Sequence, residues 1–287
     1  MRHLLSLLFV TLLLLACGVL APPASAVVNG EPMPDNKALD AVGAFSLTGW
    51  MGVNVGAGHA QQQNNWFGAA TLVSPRHIIT ARHVVGKHPK PGQYVVRFRR
   101  KPDGSLGSLK QGPDSYEQVR VMRWEFSKTG GDVALGVLEH EVTHIPPMPI
   151  AWDLPENEPF DGMVAGWGSI NRQVGASGPR IELRAGDNVL IRTGRSIHIQ
   201  KFPVKNEEVG KKDDGTPITK PLVKKGDVAV PNMHDSGGAL IVKMPDGRLM
   251  LAGVISTYRG GTWLGQFADD KDFPLKPWAS GGEKSDD

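Results

Sequence analysis

The sequence predicts an all-β fold, a sandwich or a barrel, and three observations carry that reading. Short apolar, β-branched runs recur at strand length between turn signals. Glycine (35) and proline (22) are frequent, which suits turn-rich β architecture better than a helix bundle. No stretch holds a 3.6-residue apolar stripe over three turns. In order, the runs are 66–73, 76–80, 94–99, 117–123 and 132–138, then 162–166, 188–192, 196–200, 238–243 and 248–255. Each is bounded by Gly, Pro, Asn or Asp. The proline-rich stretch 145–160 reads as a linker between the two groups. From Gly265 onward six acidic and three basic residues with two prolines read as a surface-lying or frayed tail.

Composition narrows the function classes. The chain has 287 residues, 40% apolar and 21% charged, which argues against wholesale disorder. The formal net charge is only +3, from 32 basic and 29 acidic residues, so no nucleic-acid partner is expected. The basic run Arg97-Phe98-Arg99-Arg100-Lys101 reads as an exposed strand leading into the turn Pro102-Asp103-Gly104. A single cysteine, Cys17, excludes an internal disulfide.

The first 26 residues read as a targeting segment. Arg2 gives a positive start, Leu4 to Leu15 an apolar stretch, and Ala24-Ser25-Ala26 a small-x-small cleavage site. Cleavage after Ala26 would release a secreted chain, extracellular or periplasmic, beginning at Val27. The same residues admit a second reading. Leu14-Leu15-Ala16-Cys17 resembles a bacterial lipobox, in which Cys17 would be lipidated and tether the protein to a membrane. A retained anchor is a third reading, with the apolar run at the short limit for a span.

Three separated patterns carry chemistry. Ile79-Thr80-Ala81-Arg82-His83 places a histidine just past a β-rich run. Gly131-Asp132-Val133-Ala134-Leu135 opens an apolar strand with an acid. His234-Asp235-Ser236-Gly237-Gly238 sets a serine in a tight turn before the strand at 239–242. A serine hydroxyl is a poor nucleophile near neutral pH and needs an adjacent base. A histidine with a pKa of roughly 6.5 suits that role. The imidazole in turn needs a carboxylate to fix its tautomer. Glycines after the serine let backbone amides turn toward a developing oxyanion.

In this order the sequence resembles the chymotrypsin-like (trypsin-like) serine peptidases. Residues 79–83 look like the TAxH block, 132–138 like the D-[IV]-A-L block, and 235–238 like the end of GDSGG. Val164-Ala165-Gly166-Trp167-Gly168 resembles the GWG that opens the second barrel, and 252–256 the strand lining the substrate cleft. The resemblance implies two packed six-stranded antiparallel barrels, about 40–145 and 160–265, with a tail at 266–287 and the active site between the barrels. It implies Ser236 as nucleophile, His83 as base and Asp132 as orienting carboxylate. The amides of His234 and Ser236 would form the oxyanion hole, and Ser256 would bind substrate backbone and buttress Asp132. A free Val27 amine would pair with Asp235. Protein or peptide substrates, no cofactor and no metal are implied, and a monomer is expected.

The sequence departs from the family at informative places. His234 replaces a glycine. Val230 stands at the base of the specificity pocket where trypsins carry an acid, and Tyr258 where glycine is usual. These positions lean toward small or apolar substrate side chains. An alternative of another class is a trypsin-fold binding protein with little catalysis. A third is a zinc peptidase, since His140-Glu141-Val142-Thr143-His144 fits HExxH. That motif requires a helix, and here it follows a strand and meets Pro146 and Pro147, so it is read as a decoy. Trp66 and Trp167 are read as core aromatics.

Overall fold

A computed structural model describes residues 27, 30–32, 35–48, 66–107, 116–127, 130–168, 183–199, 205–211, 217–222, 229–232, 234–259 and 262–267. The leader 1–26, Cys17 included, and the tail from residue 268 lie outside them, so the secretion and lipobox readings cannot be placed on the structure.

Six strands close the first barrel: β2 (Val42–Leu47), β3 (Trp66–Ser74), β4 (His77–Thr80), β5 (Tyr94–Phe98), β6 (Glu117–Phe126) and β7 (Ala134–Leu138), in the order β2-β3-β4-β7-β6-β5. β6 shows the one-sided alternation of a barrel wall, with Val119 and Val121 buried between exposed Gln118, Arg120 and Met122. β4 is buried along its whole length, flanked by β3 and β7 and met at Thr80 by the Gly237 turn. Phe45 stacks on Tyr94 at 5.1 Å, and Trp124 meets both rings edge-on at 5.7 and 5.9 Å.

The basic run is not an exposed strand. Arg97, Arg99 and Arg100 are 2%, 7% and 6% exposed. For Arg99 and Arg100 the cause is Asp40, fully buried in a 3-10 turn at Leu39–Ala41. Its carboxylate accepts from Arg99 Nε at 2.7 Å and from Arg100 Nε, and Arg100 also reaches Asp35. Arg97 donates to Ser46 Oγ, and burial pushes its guanidinium down to about 10. Buried charge of one sign drew charge of the other inside. Lys101–Gly104 forms the expected turn, closed by Gly104 N to Lys101 O at 2.9 Å.

The second sheet is built from β1 (Glu31–Pro32), β8 (Pro159–Gly166), β9 (Arg184–Thr193), β10 (Ser196–Ile199), β13 (Ala239–Lys243), β14 (Leu249–Arg259) and β15 (Thr262–Phe267). Its order is β1-β9-β10-β15-β14-β13-β8, and a further pairing of β8 with β9 curls it back on itself. Between β10 and β13 the chain makes a separate hairpin, β11 (Lys205–Lys211) with β12 (Pro217–Leu222). β15 extends to Phe267, into the segment read as tail. The stretch read as a linker is firmly packed: Ile145, Met148, Ile150, Ala151 and Leu154 are buried, and Ile150 bridges Leu251. One apolar core continues from the first barrel into the second through Ala165, Trp167 and Val254. A second core gathers Val164, Leu190, Ile197, Leu240 and Ile255.

Candidate active site

The first barrel positions His83 and Asp132 by strand register. β4 and β7 are antiparallel with Thr80 opposite Ala134. Two residues further on, the same register brings residue 82 opposite residue 132, and Arg82 N donates to Asp132 O at 3.3 Å. After extended Ala81, a helical turn at Arg82–Val85 swings His83 over the carboxylate. His83 N donates to Asp132 Oδ1 at 2.9 Å, and the ring Nδ1 lies 2.7 Å from Oδ2. A carboxylate can only accept, so Nδ1 carries a proton, and in the neutral form of the ring Nε2 is left as an acceptor. Ser256, from β14 of the second sheet, donates its hydroxyl to the same Oδ2 at 2.5 Å. Burial raises the Asp132 pKa, but hydrogen bonds from His83 and Ser256 outweigh it and hold the group below its ordinary 3.8.

The second barrel presents Ser236 in a turn closed by Gly238 N to Asp235 O at 2.7 Å. Ala69 N of β3 donates to Ser236 O at 2.9 Å, and Gly237 N to Ile255 O at 2.7 Å. Gly237 has φ +79°, and a Cβ there would lie 2.2 Å from Ala69 O and from Thr80 Oγ1 and 3.1 Å from Ala81 N. A glycine is needed at this position both for its left-handed backbone and for the close approach. The serine turn therefore rests against the end of β4, three residues before His83.

The loop before Ser236 is held by Asp235, which is fully buried. Its Oδ1 accepts from Gly168 N and its Oδ2 from Asn232 N, each at 2.7 Å. A Cβ on Gly166 or Gly168 would come within 2.2 or 2.5 Å of this carboxylate. The two glycines of Gly-Trp-Gly are thus the walls of a slot for Asp235. Between them Trp167 Nε1 donates to Val42 O at 2.9 Å and ties the two barrels together. His234 adopts φ +73°, so a histidine holds the left-handed backbone that a glycine would take without strain.

The remaining expected positions are less convergent. Val230 is fully buried in the second core, on a segment fixed by Ala229 N to Asp187 O and Asn188 Nδ2 to Ala229 O. Tyr258 lies on β14 opposite Trp263, and its side chain, like that of Trp66, falls outside the description. Val27 is buried in the second core, and with residues 1–26 attached its nitrogen belongs to a peptide bond. His140–His144 is a loop, not a helix. Both histidines face Glu117, His144 Nε2 at 2.7 Å and His140 Nε2 at 4.0 Å from its carboxylate, while Glu141 is exposed. The slot around Asp235 was invisible in sequence, because Gly-Trp-Gly and Asp-Ser-Gly-Gly lie some 70 residues apart.

A family model described as Trypsin matches residues 50–266. The chain belongs to the trypsin family. No curated protein matches it significantly. The nearly all-β architecture, one closed barrel and one curled sheet, is the fold of that family. As a trypsin-family member the chain is a trypsin-like peptidase at the family level, with protein or peptide substrates implied.

Proposed function

We propose that this chain is a secreted serine endopeptidase that cleaves peptide bonds through Ser236, His83 and Asp132. The observation that carries the reading is the hydrogen-bonded pair of His83 Nδ1 and Asp132 Oδ2, with the Ser236 turn anchored on Ala69 beside it. His83 Nε2 takes the Ser236 proton as Oγ attacks the scissile carbonyl. The imidazolium is stabilised by Asp132, and the oxyanion by the amides of His234 and Ser236. His83 then gives its proton to the leaving amine. Water adds to the acyl-enzyme with His83 again as base, and the acid product and Ser236 hydroxyl are released. No step calls for a cofactor or metal. Val230 and Tyr258 favour small or apolar side chains next to the scissile bond.

Cleavage after Ala26 would free the Val27 amine, which we assign to Asp235 as the pair that sets the oxyanion loop. Processing at Cys17 would instead keep the protein on a membrane and leave no free amine at Val27.

The test is a fluorophosphonate probe on the Val27-initiated protein, with the labelled peptide located by mass spectrometry. Label on Ser236, absent in Ser236→Ala, is the expected result, with kcat for peptide hydrolysis lowered by roughly 10⁶ in that variant. A folded, unlabelled protein would overturn it in favour of a trypsin-fold binding protein, the reading that His234 at a glycine position favours.

A further inference from the structure

Asp132 is reached from the second barrel at two points. One is the Ser256 hydroxyl on its carboxylate. The other acts on the loop beneath it. Ser127, at the end of β6, and Val133 enclose this loop, with Ser127 N donating to Val133 O at 3.4 Å. Two consecutive glycines, Gly130 (φ +84°) and Gly131, precede Asp132, a backbone with unusual freedom at the point where an acid must be held still. Gly131 N donates to the buried Ser127 Oγ at 3.0 Å. Onto the same oxygen, at 3.3 Å, comes Arg195 Nη2. The guanidinium lies so close to the loop that a Cβ on Gly131 would sit 2.6 Å from it.

The residue that makes this contact is itself rigidly presented. Gly194 and Arg195 form the two-residue turn between β9 and β10, where Thr193 pairs with Ser196. Glu156 Oε1 accepts from Gly194 N at 2.9 Å, Arg192 Nε donates to Gly194 O at 3.0 Å, and Arg192 Nη1 to Leu154 O at 2.9 Å. A braced turn aims one guanidinium at the hydroxyl that fixes the Gly-Gly-Asp backbone.

We propose that Arg195 is a positioning residue for Asp132, acting through Ser127 Oγ and the Gly131 backbone. This rests on the peptidase reading above and adds a residue that touches neither substrate nor the reacting atoms. Misplacing a positioned group by an ångström costs up to about 100-fold. Arg195→Ala is therefore expected to lower kcat by roughly 10-fold to 100-fold with KM changed by less than about twofold. Arg195→Lys, which keeps a donor, should recover part of the loss. The losses from Arg195→Ala and Ser127→Ala should not add in the double variant, since they break one chain of contacts. Hydrogen exchange across 127–133 should rise in each variant, while the rest of the molecule stays protected.

A kcat within about twofold of the parent, or fully additive losses, would overturn the proposal. So would a lowered melting temperature with unchanged kcat, the mark of a merely structural contact. If Arg195→Ala does not fold, the lysine and Ser127 variants carry the same test. If the parent is not labelled by the fluorophosphonate probe, the peptidase reading fails by itself. The exchange measurement then still decides whether Arg195 holds the Asp132 loop.

Discussion

Asp132 and Asp235 are both carboxylates of the same candidate site, and their surroundings differ in kind. Asp132 is partly exposed and meets an imidazole, a hydroxyl and an amide. Asp235 is wholly buried, receives the backbone amides of Gly168 and Asn232, and fits between two glycines that could carry no side chain there. An imidazole can gain a proton during a reaction and a backbone amide cannot. The first carboxylate is therefore built to answer a change of charge, and the second to keep a loop in one shape. The contrast makes separable predictions.

The largest effect should come from Asp132. Asp132→Asn keeps the size but offers an amide where Nδ1–H needs an acceptor, which favours the wrong imidazole tautomer. A fall in kcat of about 10⁴ with an unchanged fold is expected by steady-state kinetics and circular dichroism. An equal fall in folding stability would mean that Asp132 is architectural like Asp235, and the comparison would collapse.

Gly168→Ala attacks the other carboxylate without touching its charge. The new methyl would lie 2.5 to 2.8 Å from the Asp235 carboxyl atoms, so the carboxylate must leave its slot and the oxyanion loop must follow. Loss of a formed oxyanion hole costs about 10² to 10³ in rate, and the overpacked core about 1–3 kcal/mol. Fluorophosphonate labelling rate and chemical denaturation measure the two losses on the same sample. Full-rate labelling would show that the slot does not govern the loop.

The pH dependence separates the two again. The folded Asp132 pKa lies below its ordinary value because the His83 and Ser256 hydrogen bonds outweigh burial. A depressed carboxylate contributes stability that is present above the unfolded pKa and is lost as pH falls through the folded one. The Asp132 contribution should therefore be intact at pH 5 and disappear only below the ordinary 3.8. Ser256→Ala removes one of the opposing hydrogen bonds and should move that loss to higher pH. Stability curves from pH 2 to 6 for parent and variant give the comparison, and superimposable curves would contradict the assignment.

How far the sequence anticipated this site follows the same division. Strands such as β6 and β13 were legible because they alternate or run apolar between turn residues. β2 was not, since Val-Gly-Ala-Phe-Ser-Leu is buried on both faces and shows no alternation. β11 and β12 are too polar to signal a strand, and the four-residue turn carrying His83 is too short for a helical period. The candidate residues for chemistry were chosen by type and order. The Asp235 slot, the Arg195 contact and the burial of Arg97, Arg99 and Arg100 were not. Each depends on partners more than 50 residues away, and nothing local in the sequence marks that proximity.

The smallest effect tests the fixed frame most finely. At φ +73° a residue with a β-carbon pays about 1–2 kcal/mol that glycine does not, while glycine loses about 0.5–1 kcal/mol more in ordering. His234→Gly should therefore raise stability by about 1 kcal/mol or less. If Asp235 and its glycine walls already set the loop, the hole is formed with either residue, and kcat should stay within about threefold, under 1 kcal/mol of barrier. A large rise in kcat would mean that the imidazole obstructs the hole and that the frame alone does not form it. A large fall would mean that the His234 side chain takes part in the reaction. Near-constancy is the outcome that follows from a loop governed by backbone amides around a buried carboxylate.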